Sequence, residues 1–213
     1  MQGLVSYLCF IPVLTFHEFA HAWMADKCGD DTARLQGRVS LNPAVHIDPI
    51  GTIALPLLAI FLSAGGSALS GFIIGWGKPV PVNLNNLSKP RLHDTLISMA
   101  GPAMNILIAI VLMPLFFAGL KLESEVMVES VQMLIFVSLF LCWFNMLPIP
   151  PLDGSHLMKH ATNMSYETYF NLARYGFLIL ILVINFTPVR EWIATVTVYS
   201  FQIIALPFAL LFR

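Results

Sequence analysis

His17-Glu18-Phe19-Ala20-His21 places two imidazoles four residues apart, with a carboxylate beside the first. On a helix, residues i and i+4 share a face. Both rings can therefore converge on one ion, while Glu18 reaches a water on that ion without ligating it. This is the His-Glu-x-x-His pattern, in which two histidines bind zinc and the glutamate serves as general base. Such a site needs a third protein ligand and leaves its fourth position to water. The candidate is Asp153, which closes the run from Phe144 to Gly154. Pro148, Pro150 and Pro151 break the helix there and leave backbone groups unpaired. Irregular backbone at membrane depth is tolerated only when it is buried in protein or lines a polar cavity. A plain turn aspartate ahead of Gly154 is the competing reading of the same residue.

The elements that must position these residues are set by composition. The chain has 213 residues, of which 57% are hydrophobic and only 11% charged. A soluble domain carries about a quarter charged residues, so this chain could not cover its surface with solvated side chains. Disorder, a collagen-like fibre and an ordinary cytosolic domain are excluded. A formal net charge of -1 gives no pull toward nucleic acid, which is not expected as a partner. The solvent is lipid. Cys9 and Cys142 sit in apolar runs and Cys28 in a polar loop, an odd count that argues against a disulfide framework.

A membrane helix needs about 20 mainly apolar residues. Candidate stretches run from about Leu4 to Ala25, Ile50 to Trp76, Leu92 to Leu120, Val126 to Leu147, Tyr169 to Phe186 and Trp192 to Phe212. The first is not a cleavable signal peptide, because no basic segment precedes it and His17, Glu18 and His21 interrupt it. Ionisable groups within a span are costly, and they mark a partner or a function. Gly77-Lys78-Pro79-Val80-Pro81-Val82-Asn83 alternates apolar and proline positions, as an extended, β-like edge segment does.

Both halves of a metal site must lie at one membrane depth. The histidines are in the C-terminal half of the first stretch, and Asp153 follows the C-terminal end of the fourth. Those two helices must run the same way, so an odd number of crossings separates them. The stretch interrupted by Pro56 and Gly65-Gly66 is therefore expected to be a re-entrant hairpin or a lateral helix, pivoting near those glycines. Lys27, Arg34, Arg38, Lys78, Lys89, Arg91 and Lys159 then share one side with Arg213, opposite Lys121 and Arg190. The excess of positive charge places the ligand-bearing ends toward the cytoplasm and the N-terminus outside. The expected fold is an all-α polytopic membrane protein. It has about five full transmembrane helices, one re-entrant or lateral hydrophobic segment and a short extended loop.

Three ordered motifs carry a resemblance. The His17–His21 helix, Ala100-Gly101-Pro102-Ala103-Met104-Asn105 and the Asn145–Gly154 run resemble the site-2 protease family of intramembrane zinc metalloproteases. Leu41-Asn42-Pro43, His46 to Gly51 and Gly75 to Asn83 are similar to its compact prokaryotic branch, which lacks a PDZ domain. The resemblance covers roughly residues 10–160. It implies a catalytic membrane core over 1–160; the apolar stretches over 161–213, which it does not cover, are expected as two additional C-terminal transmembrane helices. It implies one Zn²⁺ per chain on His17, His21 and Asp153, Glu18 as base, and Asn145 holding or polarising the substrate. Its substrates would be transmembrane proteins within the lipid of a prokaryotic cell membrane. Gly101-Pro102 and Asn105 are read as points of close helix approach. His46 and Asp48 are read as turn residues, with a second-shell or auxiliary-ligand role as the alternative. His93, His156 and His160 flank the spans without ligand spacing. A metal-ion transporter or a catalytically silent scaffold is the alternative function.

Overall fold

The computed structural model describes residues 2–64 and 75–212. The proposed pivot at Gly65-Gly66 lies outside them. Among the described residues the chain is helical, with no strand. Helix α1 (Gln2–Lys27) carries both histidines. Buried Val13, Leu14, His17, Ala20, His21 and Ala25 recur at steps of one, three and four residues and form one face, while Thr15 and Ala22 are buried off it. That face packs against α4 (Pro90–Lys121) and α5 (Glu125–Asn145), with Val13, Leu14 and Leu141 forming a buried cluster. Only three residues separate α4 from α5, which makes the pair an antiparallel hairpin. Lipid removes the hydrophobic drive between helices, so close van der Waals packing must hold them. Gly119 supplies it at the turn, where an added Cβ would come within 3.1 Å of Val128 Cγ2.

The second apolar stretch leaves and returns at one place. A π-helical turn (Pro49–Ala54) leads into α3 (Leu55–Ala64). Trp76 N donates to Gly51 O at 3.3 Å, while Thr52 Oγ1 donates to Trp76 O at 2.7 Å. Both ends of the excursion therefore sit at the same level of the molecule.

From Gly75 to Asn83 the backbone forms neither helix nor strand, a strap pinned mainly by side chains. Arg38 donates to the carbonyls of Lys78 and Pro79, and Lys78 N donates to His46 O at 2.8 Å. Asp30 accepts from Asn83 N at 2.6 Å and from Asn86 Nδ2 at 2.8 Å, and also binds Thr32 in the short helix α2 (Thr32–Leu35). Burial pushes the Asp30 carboxyl up, but these hydrogen bonds outweigh it and leave the group below its ordinary value.

After α5 the chain turns through Pro148–Pro151 into α6 (Gly154–Ala161), then α7 (Tyr166–Arg174), α8 (Gly176–Phe186) and α9 (Val189–Leu211). The sequence reading drew Tyr169 to Phe186 as one span. The chain folds it as α7 and α8, bent by 62° about Tyr175. The cause lies at Gly176, where a Cβ would stand 1.9 Å from Pro150 O. The start of α8 is pressed against the proline turn there. Leu147, Ile149 and Leu152 from that turn pack with Leu180, Ile184 and Ile193, so α8 and α9 brace the segment carrying Asp153. Among the described residues four helices are long and apolar enough to cross a membrane, and counting the bent pair as one span makes five. The chain is an integral membrane protein.

Candidate metal centre

Two elements bring the candidate ligands together. His17 and His21 lie on adjacent turns of α1, and their Nε2 atoms are 3.1 Å apart. Asp153 immediately precedes α6. Its Oδ2 is 3.3 Å from His17 Nε2, and its Oδ1 is 3.4 Å from His21 Nε2. The glycine that follows makes this possible, since a Cβ on Gly154 would lie 2.2 Å from Met146 O. Only glycine lets α6 fold back directly beneath the end of α5.

The spacing suits a small tetrahedral cation. Bonds of about 2.0–2.1 Å at tetrahedral angles put ligand atoms about 3.3 Å apart, which is close to the separations observed. Asp153 Oδ2 is buried with no hydrogen-bond partner, a costly state unless a cation satisfies it. Space for the ion is kept by Gly101, whose added Cβ would fall 2.3 Å from His21 Nε2 and 2.7 Å from His17 Nε2.

The outer ring nitrogens are held by α4. His21 Nδ1 lies 2.7 Å from the backbone carbonyl of Ile97. It can only donate there, which turns the Nε2 lone pair toward Asp153. His17 Nδ1 lies 3.1 Å from Asn105 Nδ2, while Asn105 Oδ1 is buried without a partner. Turning this amide presents Oδ1 to an Nδ1–H, satisfies the orphan oxygen and frees His17 Nε2 to ligate. Asn105 is thus an orienting partner of His17, where the sequence suggested only helix packing. The pairing of His17 with Asn105 and of His21 with Ile97 also shows that α1 and α4 are antiparallel. Hence α1 and α5 run the same way, as the crossing argument requires.

Glu18 faces the strap. A Cβ on Gly77 would lie 3.0 Å from Glu18 Oε1, so the bare backbone closes over the carboxylate. Glu18, Asn145, Trp76 and Phe177 line a cavity of about 610 Å³ together with the three candidate ligands. Asn145 Nδ2 donates one N–H to Leu141 O at 2.9 Å, leaving the second N–H as its available donor.

Other sequence candidates fall elsewhere. Asp48 Oδ1 accepts from Ile50 N and Gly51 N and caps the π-helical turn. His46 Nε2 lies 2.7 Å from Ser40 O, and burial chiefly lowers its pKa, so the ring is neutral. His156 and His160, which lack ligand spacing, meet a buried carboxylate, Asp94. Lys159, counted among the loop cations, is buried against the same group.

Residues 118–184 match the model of Peptidase family M50. The Bacillus subtilis (strain 168) protein named "Putative zinc metalloprotease YwhC" is 36% identical over 201 residues, covering 90% of this chain and 85% of that protein. The chain belongs to peptidase family M50. The Mycolicibacterium smegmatis protein "Putative zinc metalloprotease Rip2" is similar at 29% identity, over 89% of this chain and 70% of its own length. Rip2 of Mycobacterium tuberculosis (strain ATCC 25618 / H37Rv) is similar at 27%, with the same coverages. No solved structure matches. The M50 assignment makes this a zinc-dependent metalloprotease of the site-2 protease type. The family match contains Asn145 and Asp153 and continues past residue 160 into α8.

Proposed function

We propose that the chain is an intramembrane endopeptidase holding one Zn²⁺ on His17, His21 and Asp153, with Glu18 as general base. The observation that carries this reading is the convergence of three buried ligand atoms at tetrahedral spacing, with one carboxylate oxygen otherwise unsatisfied. Its substrates are membrane proteins cleaved in or near a transmembrane segment. The relatives, named as metalloproteases, lend no support to a transporter.

Helix α4 supports the depth of the site. At about 1.5 Å per residue, the 20 residues from Gly101 to Lys121 (121 − 101) cover about 30 Å, one hydrocarbon thickness. With Lys121 at one interface, Gly101 and the ligands facing it lie near the other. Lys27, Arg34, Lys78, Lys89 and Arg91 belong to that second end, which is the cytoplasmic side by the positive-inside rule. Cysteines placed singly at Lys78 and Lys121 will react with a membrane-impermeant reagent from opposite faces. Labelling of both from one face would remove this topology.

Zinc at this site supplies Lewis acidity, polarising a carbonyl and making water nucleophilic at neutral pH. Glu18 takes the water proton and then delivers it to the leaving amine. The free N–H of Asn145 is placed to donate toward charge developing on the carbonyl oxygen. The apolar walls, including Leu14, Phe177 and Leu180, receive substrate side chains while restricting water. A substrate helix has no free carbonyl and must unwind before it can react. The direct test is cleavage of a helical reporter by reconstituted protein. Asp153→Ala will lose stoichiometric zinc and lower cleavage by about 10³-fold or more. Wild-type cleavage by a metal-free Asp153→Ala protein would refute the assignment.

A further inference from the structure

The N-terminal half of α4 presents Asp94, Ile97, Gly101 and Asn105 at helical spacing toward α1 and α6. Ile97 and Asn105 hold the two histidines, and Gly101 keeps the space between them. Asp94 holds something else. It is 4% exposed, in an apolar helix, and takes three partners from one face of α6. Lys159 Nζ donates to Oδ2 at 2.7 Å, His160 Nε2 lies 2.6 Å from Oδ2, and His156 Nδ1 lies 3.0 Å from Oδ1. Lys159 is itself 3% exposed, so the helix carries a buried cation that only this carboxylate neutralises among the described residues. Positions 156, 159 and 160 are the i, i+3, i+4 set that shares a helical face.

Helix α6 is eight residues long, too short to hold its place by its own backbone, and Asp153 is its N-terminal flanking residue. His156 N donates to Asp153 O at 3.0 Å, so the turn that bears Asp153 is directly joined to a side chain gripping Asp94.

We propose that Asp94 is a positioning residue for the metal centre: by clamping His156, Lys159 and His160 it fixes α6, and through α6 holds Asp153 opposite His17 and His21. One helix then organises all three ligands, two through their outer ring nitrogens and the third through the helix that follows it. The inference rests on the zinc reading above, and its test separates the two.

The measurement is zinc affinity by chelator competition on reconstituted protein, with helix content followed in parallel. Partners outside the ligand shell typically change metal affinity by about 10–100-fold. Asp94→Asn keeps the acceptor oxygen but loses the charge that strengthens these hydrogen bonds, so zinc binding will weaken by about 10-fold. Asp94→Ala removes the clamp and will approach a 100-fold loss. In an Asp153→Ala background, where the weak residual affinity of the two histidines is read by direct zinc titration instead, Asp94→Asn will add no further loss, because the ligand it acts through is already gone. If Asp94→Ala does not fold, Asp94→Asn and its double variant decide the matter alone. A folded Asp94→Asn protein with wild-type affinity overturns the proposal, and so does an equal loss in the Asp153→Ala background. A wild-type protein that binds no zinc instead overturns the reading on which the proposal depends.

Discussion

Glu18→Gln leaves the helices and the bound zinc in place and lowers reporter cleavage by about 10²- to 10⁴-fold, or about 3–5 kcal/mol in the barrier. The substitution is nearly isosteric, so the amide still fits beneath the bare backbone of Gly77. What it loses is basicity. An amide cannot take a proton from water or return it to the leaving amine. Metal content separates this outcome from a structural one, because Glu18 is not among the three atoms converging on the site. Reporter kinetics beside elemental analysis of the same sample provide the check. Full activity, or a parallel loss of zinc, would remove Glu18 from the role of base.

The second large effect comes from a residue with no functional group. Gly101→Ala adds one methyl group between the two imidazoles, 2.3 Å from one Nε2 and 2.7 Å from the other. Either ring could swing aside if it were free. Neither is, since His21 is tied to Ile97 O and His17 to Asn105 on the same helix as the new methyl. Relief must come from separating α1 and α4 or from losing an orienting hydrogen bond. We expect zinc affinity to fall by at least about 10²-fold, with cleavage lost, while the far-ultraviolet signal of the helices persists. Retention of zinc at wild-type affinity by a folded Gly101→Ala protein would show that the cradle is looser than described.

The parts of this site that are legible in sequence are those fixed by local geometry or by chain direction. The histidine pair can be read from its four-residue spacing alone. Asp153 required more: a proline-broken run, the resemblance to site-2 proteases, and the need for two parallel helices. The return of the chain from Gly51 to Trp76 follows from that same parity, though not its hydrogen bonds. Asn105 and Ile97 were not legible as supports. Their roles depend on how α4 is rotated against α1, and one is a backbone carbonyl without any sequence signal. Asp94 was a missed cue. A carboxylate at the start of an apolar span demands a partner, and three candidates stood on one face of the segment after Gly154. The loop-charge count placed Lys159 on one side with the other cations but could not show its burial, because a count carries no information about it. The break at Tyr175 was hidden for a similar reason, since apolar periodicity continues through it while Gly176 meets Pro150 from a distant part of the chain.

The support behind the proline turn has a practical consequence. The turn bearing Asp153 leans on α8 and α9, yet the α9 span is only 11% buried inside the protein. Acyl chains face the rest of its circumference, and it is held against its neighbours by packing and by side-chain hydrogen bonding such as that from Trp143 Nε1 to Ser200 Oγ at 3.0 Å. Whatever amphiphile replaces those chains during extraction becomes, in effect, a distant constituent of the zinc shell. Nanodisc preparations, rather than micelles, are accordingly the reference state in which metal stoichiometry should be judged.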